Sequence, residues 1–426
     1  MKNNFIKILS NTNFTKVWFS LILSLISAYT LNFILIGKIF NTTQSSVAVG
    51  FFLFFYYLPT IILGPFVGVL IDNWNKRSIF TFSNLIQSLI VLFYAPVKEK
   101  VWPLYAIVLF YSFCDELFNP SVGASLPAIV KKEQLPLANS LFLFTGQSAI
   151  IFGSLVGSLL LKFLGNSILI FIIVSVLLLV AGLISLSLPK EPFRGTKKIK
   201  IDLTDLLNIS RTLDLSGFLK QLKEGYNFLR NEPKVLFPIL LLAGLQILVG
   251  MAIIIFPSLS NMLKIDFSDS SFLIIFPAIF GALMGSILIQ RKVKKIRKYI
   301  FILAGLYFSG IGILSLSIVG FLFSKAIIPS LPILVGLGAA YIFMYVPLQT
   351  LIQEHTPFKI RGRVFGFLST AVTLASALPM LITTTLIDIF GIRLILIILG
   401  GGILFLATLA RCRYQTVLSI NNNNNG

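Results

Sequence analysis

Long apolar stretches recur from one end of the chain to the other, each bounded by short polar turns and each of the length, about 20 residues, that a helix needs to cross ~30 Å of hydrocarbon. They run Val17 to Gly37, Ala48 to Ile71, Ser78 to Val97, Leu137 to Leu161, Phe163 to Leu188, Val235 to Ser260, Ser270 to Ile289, Tyr299 to Ser324, Ala326 to Gln353, Val364 to Ile387 and Leu394 to Ala410. A further stretch, Val101 to about Val130, carries two acids and completes a set of twelve. The polar segment Pro189 to Lys234 divides the set into six and six. The pattern predicts an all-α integral membrane protein: an N-terminal bundle over 1–188, a linker over 189–234, a second bundle over 235–413 and a disordered tail, 414–426, ending in an asparagine run. Within the linker, Leu215, Phe218, Leu219, Leu222, Tyr226 and Leu229 recur every three or four residues among Lys220, Lys223, Glu224 and Arg230. That spacing predicts an amphipathic helix lying along the membrane surface and tethering the halves.

Composition agrees, with 56% hydrophobic and only 12% charged residues, a balance that a soluble chain of 426 residues does not need. The net charge of +20 would suggest nucleic acid in a soluble protein. Here the cations sit at the ends of apolar runs, which is the signature of membrane topology. With the N-terminus inside, the 35 Lys and Arg residues fall in the inner segments, except Lys38, Lys98, Lys100, Lys162, Lys264, Lys325 and Arg393. Both termini are therefore expected on the cytoplasmic side of a bacterial-type plasma membrane. The first span, without a small-x-small cleavage site, reads as retained. Two separated cysteines, Cys114 and Cys412, and a single histidine, His355, offer no metal cluster and no disulfide framework. A phosphate-binding glycine loop is missing too. No cofactor, no metal and no enzymatic chemistry are expected.

Two carboxylates break the rule that charge stays at the ends. Asp115 and Glu116 lie midway between Lys100 and the Lys131-Lys132 pair, at the depth of the bilayer midplane. An ionised acid there costs at least ~2.5 kcal/mol, so the expectation is a coupling or substrate site facing a wet cavity. Neighbours on a helix point about 100° apart. Tyr111, Asp115 and Asn119 share one stripe, Ser112 and Glu116 the next, and the Asp115 stripe is preferred as the cavity face. A purely structural alternative is that one acid accepts hydrogen bonds from an adjacent span.

The segment Gly64-Pro65-Phe66-Val67-Gly68-Val69-Leu70-Ile71-Asp72-Asn73-Trp74-Asn75-Lys76-Arg77 strips one helix face with glycines and then turns on an acid beside two cations. A closely packed charged turn of this kind suits a gate, or simply a tight inner turn. The two halves echo each other, because Gly281 and Gly285 precede the basic run from Arg291, and Pro120 and Pro347 occupy matching spans. Parallel six-helix repeats are one plan of secondary transporters.

The Gly64 to Arg77 segment resembles the loop signature of the major facilitator superfamily. The wider run, with Phe118-Asn119-Pro120, Ser125 to Val130, Ala138-Asn139-Ser140 and Arg361-Gly362-Arg363-Val364, resembles the branch containing enterobactin exporters, macrolide efflux proteins and lysophospholipid transporters. The resemblance implies the major facilitator fold, alternating access, and a gate in which Gly64, Gly68, Asp72, Lys76 and Arg77 meet Arg361 and Arg363. It also implies a cavity lined by Tyr29, Asn32, Gln246, Tyr341, Tyr345 and Gln349 beside the acids. Departures stand beside it: Ser27-Ala28 replaces an expected acid, and Asn84 and Gln87 replace a charged pair in the third span. The function expected is a proton-coupled exporter of a small amphiphile, acting as a monomer with the bilayer, its substrate and protons as partners and no nucleic acid. Alternatives are a lipid or lysophospholipid translocator of the same fold and a non-transporting receptor or scaffold.

Overall fold

A computed structural model describes residues 8–94, 96–97, 100–165, 167–189, 233–292, 297–323, 326–355 and 361–419. The linker helix expected at 215–230 and the asparagine run lie outside the described residues. Helices α1 (Thr12–Thr43), α2 (Ser46–Asn73), α3 (Lys76–Leu92), α4 (Val101–Ile129), α5 (Leu135–Leu164) and α6 (Leu169–Leu186) precede the linker. After it come α7 (Pro233–Met262), α8 (Phe276–Lys292), α9 (Lys298–Leu322), α10 (Ile327–His355) and α11 (Arg361–Ser419). A short π-helical turn, Ser271–Ile275, leads into α8.

Among the described residues, ten helical stretches are long and apolar enough to cross a membrane. The difference from the expected twelve arises in two places. Helix α3 has only 17 residues, ending at Leu92 rather than Val97. The last two expected spans are two helices that meet at a kink at Gly391 (φ 79°, ψ 156°), a positive-φ conformation that glycine adopts without a Cβ penalty, and of the pair, together α11, only Ile382–Cys412 is among the ten.

The chain divides into two compact units, residues 1–44 with 51–218, and residues 45–50 with 219–426. In the first, α1 packs on α5 and α6, and α3 packs on α4 and α6. Its apolar core joins Phe14, Val17 and Leu21 of α1 to Phe80 of α3, Phe118, Val122 and Leu126 of α4, and Ala138 and Leu141 of α5. In the second, α8 and α9 pack on α10, and α7 and α9 on α11, around Val235, Ile239, Leu242, Leu306, Met344, Leu348 and Ile403. Large apolar side chains also cover the outside: Phe163 is 77% exposed and Trp102 76%, an arrangement suited to hydrocarbon as solvent.

Polar side chains go inward instead. In the first unit Ser24 donates to Asn84 Oδ1 at 2.8 Å, Asn84 Nδ2 to Ser20 Oγ at 3.3 Å, and the Ser20 and Ser185 hydroxyls share a bond of 2.8 Å. This seam ties α1, α3 and α6 where neither water nor lipid would serve those groups. Within the second unit, residues 45–50 are held by Asp388, whose carboxylate accepts from Ser45 Oγ at 2.5 Å, Ser46 N at 2.8 Å and Val47 N at 3.1 Å. The first free N–H groups of α2 are thereby capped by an anion, as the helix dipole favours.

Close backbone approach explains the glycines that mark α8 and α10. A Cβ on Gly281 would fall 1.8 Å from the Val335 carbonyl oxygen, and one on Gly338 would fall 1.7 Å from that of Ala278. Neither obstacle is a flexible side chain, so the helices themselves would have to separate. Gly281→Ala is expected to lower the melting temperature of the purified protein, at a cost of about 1–3 kcal/mol. An unchanged melting curve would dismiss this close crossing.

Candidate functional site

Asp115 is the central residue of the 29-residue helix α4, roughly 21 Å from either end. The backbone of that helix bonds to itself except where Pro120 and Pro127 lack the N–H that would serve the Glu116 and Gly123 carbonyls, and the acid side chains need partners from other helices. Both find them on α2. Tyr56 Oη donates to Asp115 Oδ2 at 3.1 Å, and Thr60 Oγ1 donates to Glu116 Oε2 at 2.6 Å. Tyr56 and Thr60 are four residues apart, so they occupy one face of α2 and stack one turn above the other. Adjacent acids on α4 thus straddle a single stripe of α2, although their directions differ by a third of a turn. The link is reinforced by Ser112, whose hydroxyl bonds the Tyr56 carbonyl.

A third helix reaches Asp115. Gln87 of α3 is fully buried, and its Nε2 lies 3.5 Å from both Asp115 Oδ1 and the Tyr111 carbonyl oxygen. Asp115 and Glu116 are themselves partly buried. Among the described residues no Lys or Arg forms an ion pair with either acid. Tyr29 of α1 and Tyr111 of α4 lie within electrostatic reach of Asp115, and the Tyr111 hydroxyl is buried without a hydrogen-bond partner. The first unit therefore holds a cluster of two carboxylates, tyrosines, a threonine and a glutamine inside an otherwise apolar bundle.

The other candidates divide. Tyr29 and Asn32 are partly buried on α1, whereas Asn119 is exposed, although it shares a helical stripe with Asp115. In the second unit Gln246 and Gln349 are partly buried, and the Tyr341 and Tyr345 rings stack with centroids 5.5 Å apart against that unit's apolar core. Of the gate residues, Arg77 has a definite task. Its Nε donates to the Ser185 carbonyl at 3.3 Å and its guanidinium also bonds the Leu186 carbonyl, while Lys16 Nζ reaches the Ser187 carbonyl at 3.2 Å. Two cations thus close the C-terminal end of α6, where carbonyls lack helical partners and the dipole is negative. Lys76 is partly buried at the start of α3. The side chains of Gly64, Gly68, Asp72, Arg361 and Arg363 lie outside the described residues, and with them the expected pairing of Asp72 with an arginine. A shallow hollow of about 410 Å³, lined by Leu9, Thr12, Lys16, Phe19, Ile184 and Ser187, contains neither acid.

Tyr56 and Thr60 were not among the residues expected from sequence. Their signal is faint: hydroxyl groups four residues apart in an apolar span, in a run also rich in Phe and Tyr.

Comparison with known proteins identifies the family and the fold. The family model of the Major Facilitator Superfamily matches residues 17–378. An uncharacterized MFS-type transporter, YfiS, of Bacillus subtilis is 28% identical over 81% of this chain and 79% of its own length. Macrolide efflux protein A of Streptococcus pyogenes is 25% identical over 89% of this chain and 90% of its own. The putative bacilysin exporter BacE of Bacillus subtilis is 24% identical over 82% of each chain. Among solved structures, the nucleoside transporter NupG superposes with a TM-score of 0.68 at 14% identity, covering 94% of this chain and 99% of that one. The transporter PepTSo gives 0.66 at 15%, covering 95% and 98%; both likenesses concern the fold.

Removing a hydroxyl that serves a buried carboxylate leaves an oxygen without its donor, at about 1–3 kcal/mol. Tyr56→Phe and Thr60→Val are each expected to lower the melting temperature, whereas Tyr57→Phe, next along α2, leaves it unchanged. Melting curves of the three variants in detergent check this. Equal effects at Tyr56 and Tyr57 would dismiss the bond to Asp115.

Proposed function

The chain belongs to the major facilitator superfamily, and from that premise we propose that it is a secondary-active exporter that moves a small amphiphilic molecule out of the cell as protons enter. The proposal takes the chain as twelve spans in two six-helix bundles, 1–188 and 235–413, joined by a cytoplasmic linker over 189–234. Both termini face the cytoplasm of a bacterial plasma membrane, and the protein works by alternating access.

One observation carries the proton step. Asp115 and Glu116 sit at the middle of an apolar helix, bonded by neutral hydroxyls and an amide, with no cation paired to them among the described residues. An acid so placed has two ways to lower the cost of its charge inside the bundle: taking up a proton or meeting a cation. Either event changes the net charge of the site. A site whose charge differs between inward-open and outward-open states is what couples a proton gradient to substrate movement. Tyr29 and Tyr56, each partly buried beside the acids, offer aromatic surface there, which supports an amphiphile with a large apolar face. Outward direction rests on the names of two relatives, a macrolide efflux protein and a putative bacilysin exporter. In the same reading the stacked Tyr341 and Tyr345, with Gln246 and Gln349, serve the substrate from the second bundle, and Asp72 with Arg361 or Arg363 closes the cytoplasmic side.

The test is flux in proteoliposomes with and without an imposed pH gradient, using radiolabelled erythromycin, a lysophospholipid and a lipophilic dye as probes. The wild-type protein is expected to accumulate at least one probe against its gradient. Asp115→Asn with Glu116→Gln is expected to reduce that accumulation to the level of protein-free liposomes. Gradient-driven flux persisting in the double variant would overturn the proton step. Preference for the lysophospholipid would favour a lipid translocator, and thermal stabilisation by a probe without any flux a receptor.

A further inference from the structure

Buried polar atoms without partners are uncommon, and one of them sits beside the acid on which the proposed proton step depends. Gln87 is fully buried in α3, donates weakly from Nε2 toward Asp115 Oδ1 and the Tyr111 carbonyl, and leaves Oε1 with no hydrogen-bond partner. A well-packed structural glutamine would have both ends satisfied. An unserved acceptor next to a group that changes protonation has a specific use.

An ionised carboxylate only accepts hydrogen bonds; once protonated it carries an O–H that must itself find an acceptor. At Oδ2, Asp115 meets the hydroxyl of Tyr56, which can donate or accept as the charge state requires. At Oδ1 it meets the amide of Gln87, whose NH2 suits the carboxylate and clashes with an acid proton. A half-turn of that amide about its last torsion exchanges NH2 and oxygen within one volume, and this torsion is broad and nearly two-fold. The oxygen then takes the place the nitrogen holds now, 3.5 Å from Oδ1, and a closing of the gap by about half an ångström lets it accept the new O–H. The Tyr111 carbonyl loses little, because it lies inside α4, where the helical ladder serves it.

We propose that Gln87 is a positioning residue that turns its amide to give Asp115 a matched partner in both charge states, nitrogen toward the carboxylate and oxygen toward the acid. The proton comes from and returns to water, and Gln87 exchanges none. The other titratable groups near Asp115 are Tyr29 of α1, Tyr56 and Tyr57 of α2, and Tyr111, Cys114 and Glu116 of α4. None is basic, so among the described residues no cation does this work in place of the amide. The inference rests on the reading that Asp115 takes up a proton during the cycle.

Infrared difference spectra between acid and alkaline pH test it without any substrate. They use the purified full-length protein in lipid nanodiscs, with isotope-labelled glutamine. Three signals are expected. A protonated-carboxyl band appears in the wild type and disappears in Asp115→Asn. A labelled amide band moves in the same pH step and is absent in Gln87→Leu. In Gln87→Leu the Asp115 band changes frequency, and its titration reports about a tenfold change in proton affinity. An amide signal that persists in Gln87→Leu, or an Asp115 band with the wild-type frequency and midpoint there, would overturn the role of Gln87 while leaving the proton step standing. If no carboxyl band responds to Asp115→Asn, Asp115 keeps one charge state and both readings fall. Gln87→Met, unbranched like glutamine, replaces the leucine variant if the latter does not elute as a single species.

Discussion

Hydrocarbon gives no hydrogen bonds, and every feature of this protein answers to that. Helices satisfy most of their own backbones, so the spans are helical; their outer faces are left to Phe, Leu and Ile, many of them exposed. Side chains that need partners have to find them between helices. The seam of Ser20, Ser24, Asn84 and Ser185 is the plain case, joining three helices by small polar groups. The acids of α4 are the demanding case, since a carboxylate costs more to hold and its partners must fit more closely.

The same constraint assigns work to cations that sequence patterning places only by side. Arg77 and Lys16 sit near the starts of α3 and α1, where a positive-inside bias alone would account for their presence. In the structure they bind the last carbonyls of α6, so both charges also finish a helix. Asp388 does the converse at the start of α2, an anion closing an N-terminal end. Helix termini near an interface expose unsatisfied groups of fixed sign, and a side chain of opposite sign is the economical partner.

For a transporter, the telling feature is how lightly Asp115 and Glu116 are held. Hydroxyls and an amide bond them, all neutral, and hydroxyls can reverse their role when a proton arrives. A lysine or arginine in the same place would pin the charge and make release costly. Their partners on α2 form one stripe, so a small rotation or slide of α2 against α4 would disturb both bonds together. In the proposed cycle, two contacts would link protonation of the acids to a movement of α2 against α4.

Hydropathy alone made the helical class and the membrane environment legible, because crossing a bilayer is a property of one segment at a time. The same scan placed the break between the last two spans at 388–393, where Gly391 kinks the chain, and missed that α3 stops at Leu92, since that end depends on backbone conformation and not on composition. Asp115 and Glu116 were legible as anomalies of charge against background. Tyr56 and Thr60 were not, because an aromatic or a hydroxyl in a span looks the same whether it faces lipid or a carboxylate; Gln87 was visible only as a neutral residue in place of an expected charge. Asn119 shows the converse, since it shares the stripe of Asp115 and is exposed. The sequence by itself determined which residues cannot rest in hydrocarbon; only the tertiary structure decided which of them meet, because pairing depends on the rotation of each helix and on its neighbour, and no segment encodes either alone.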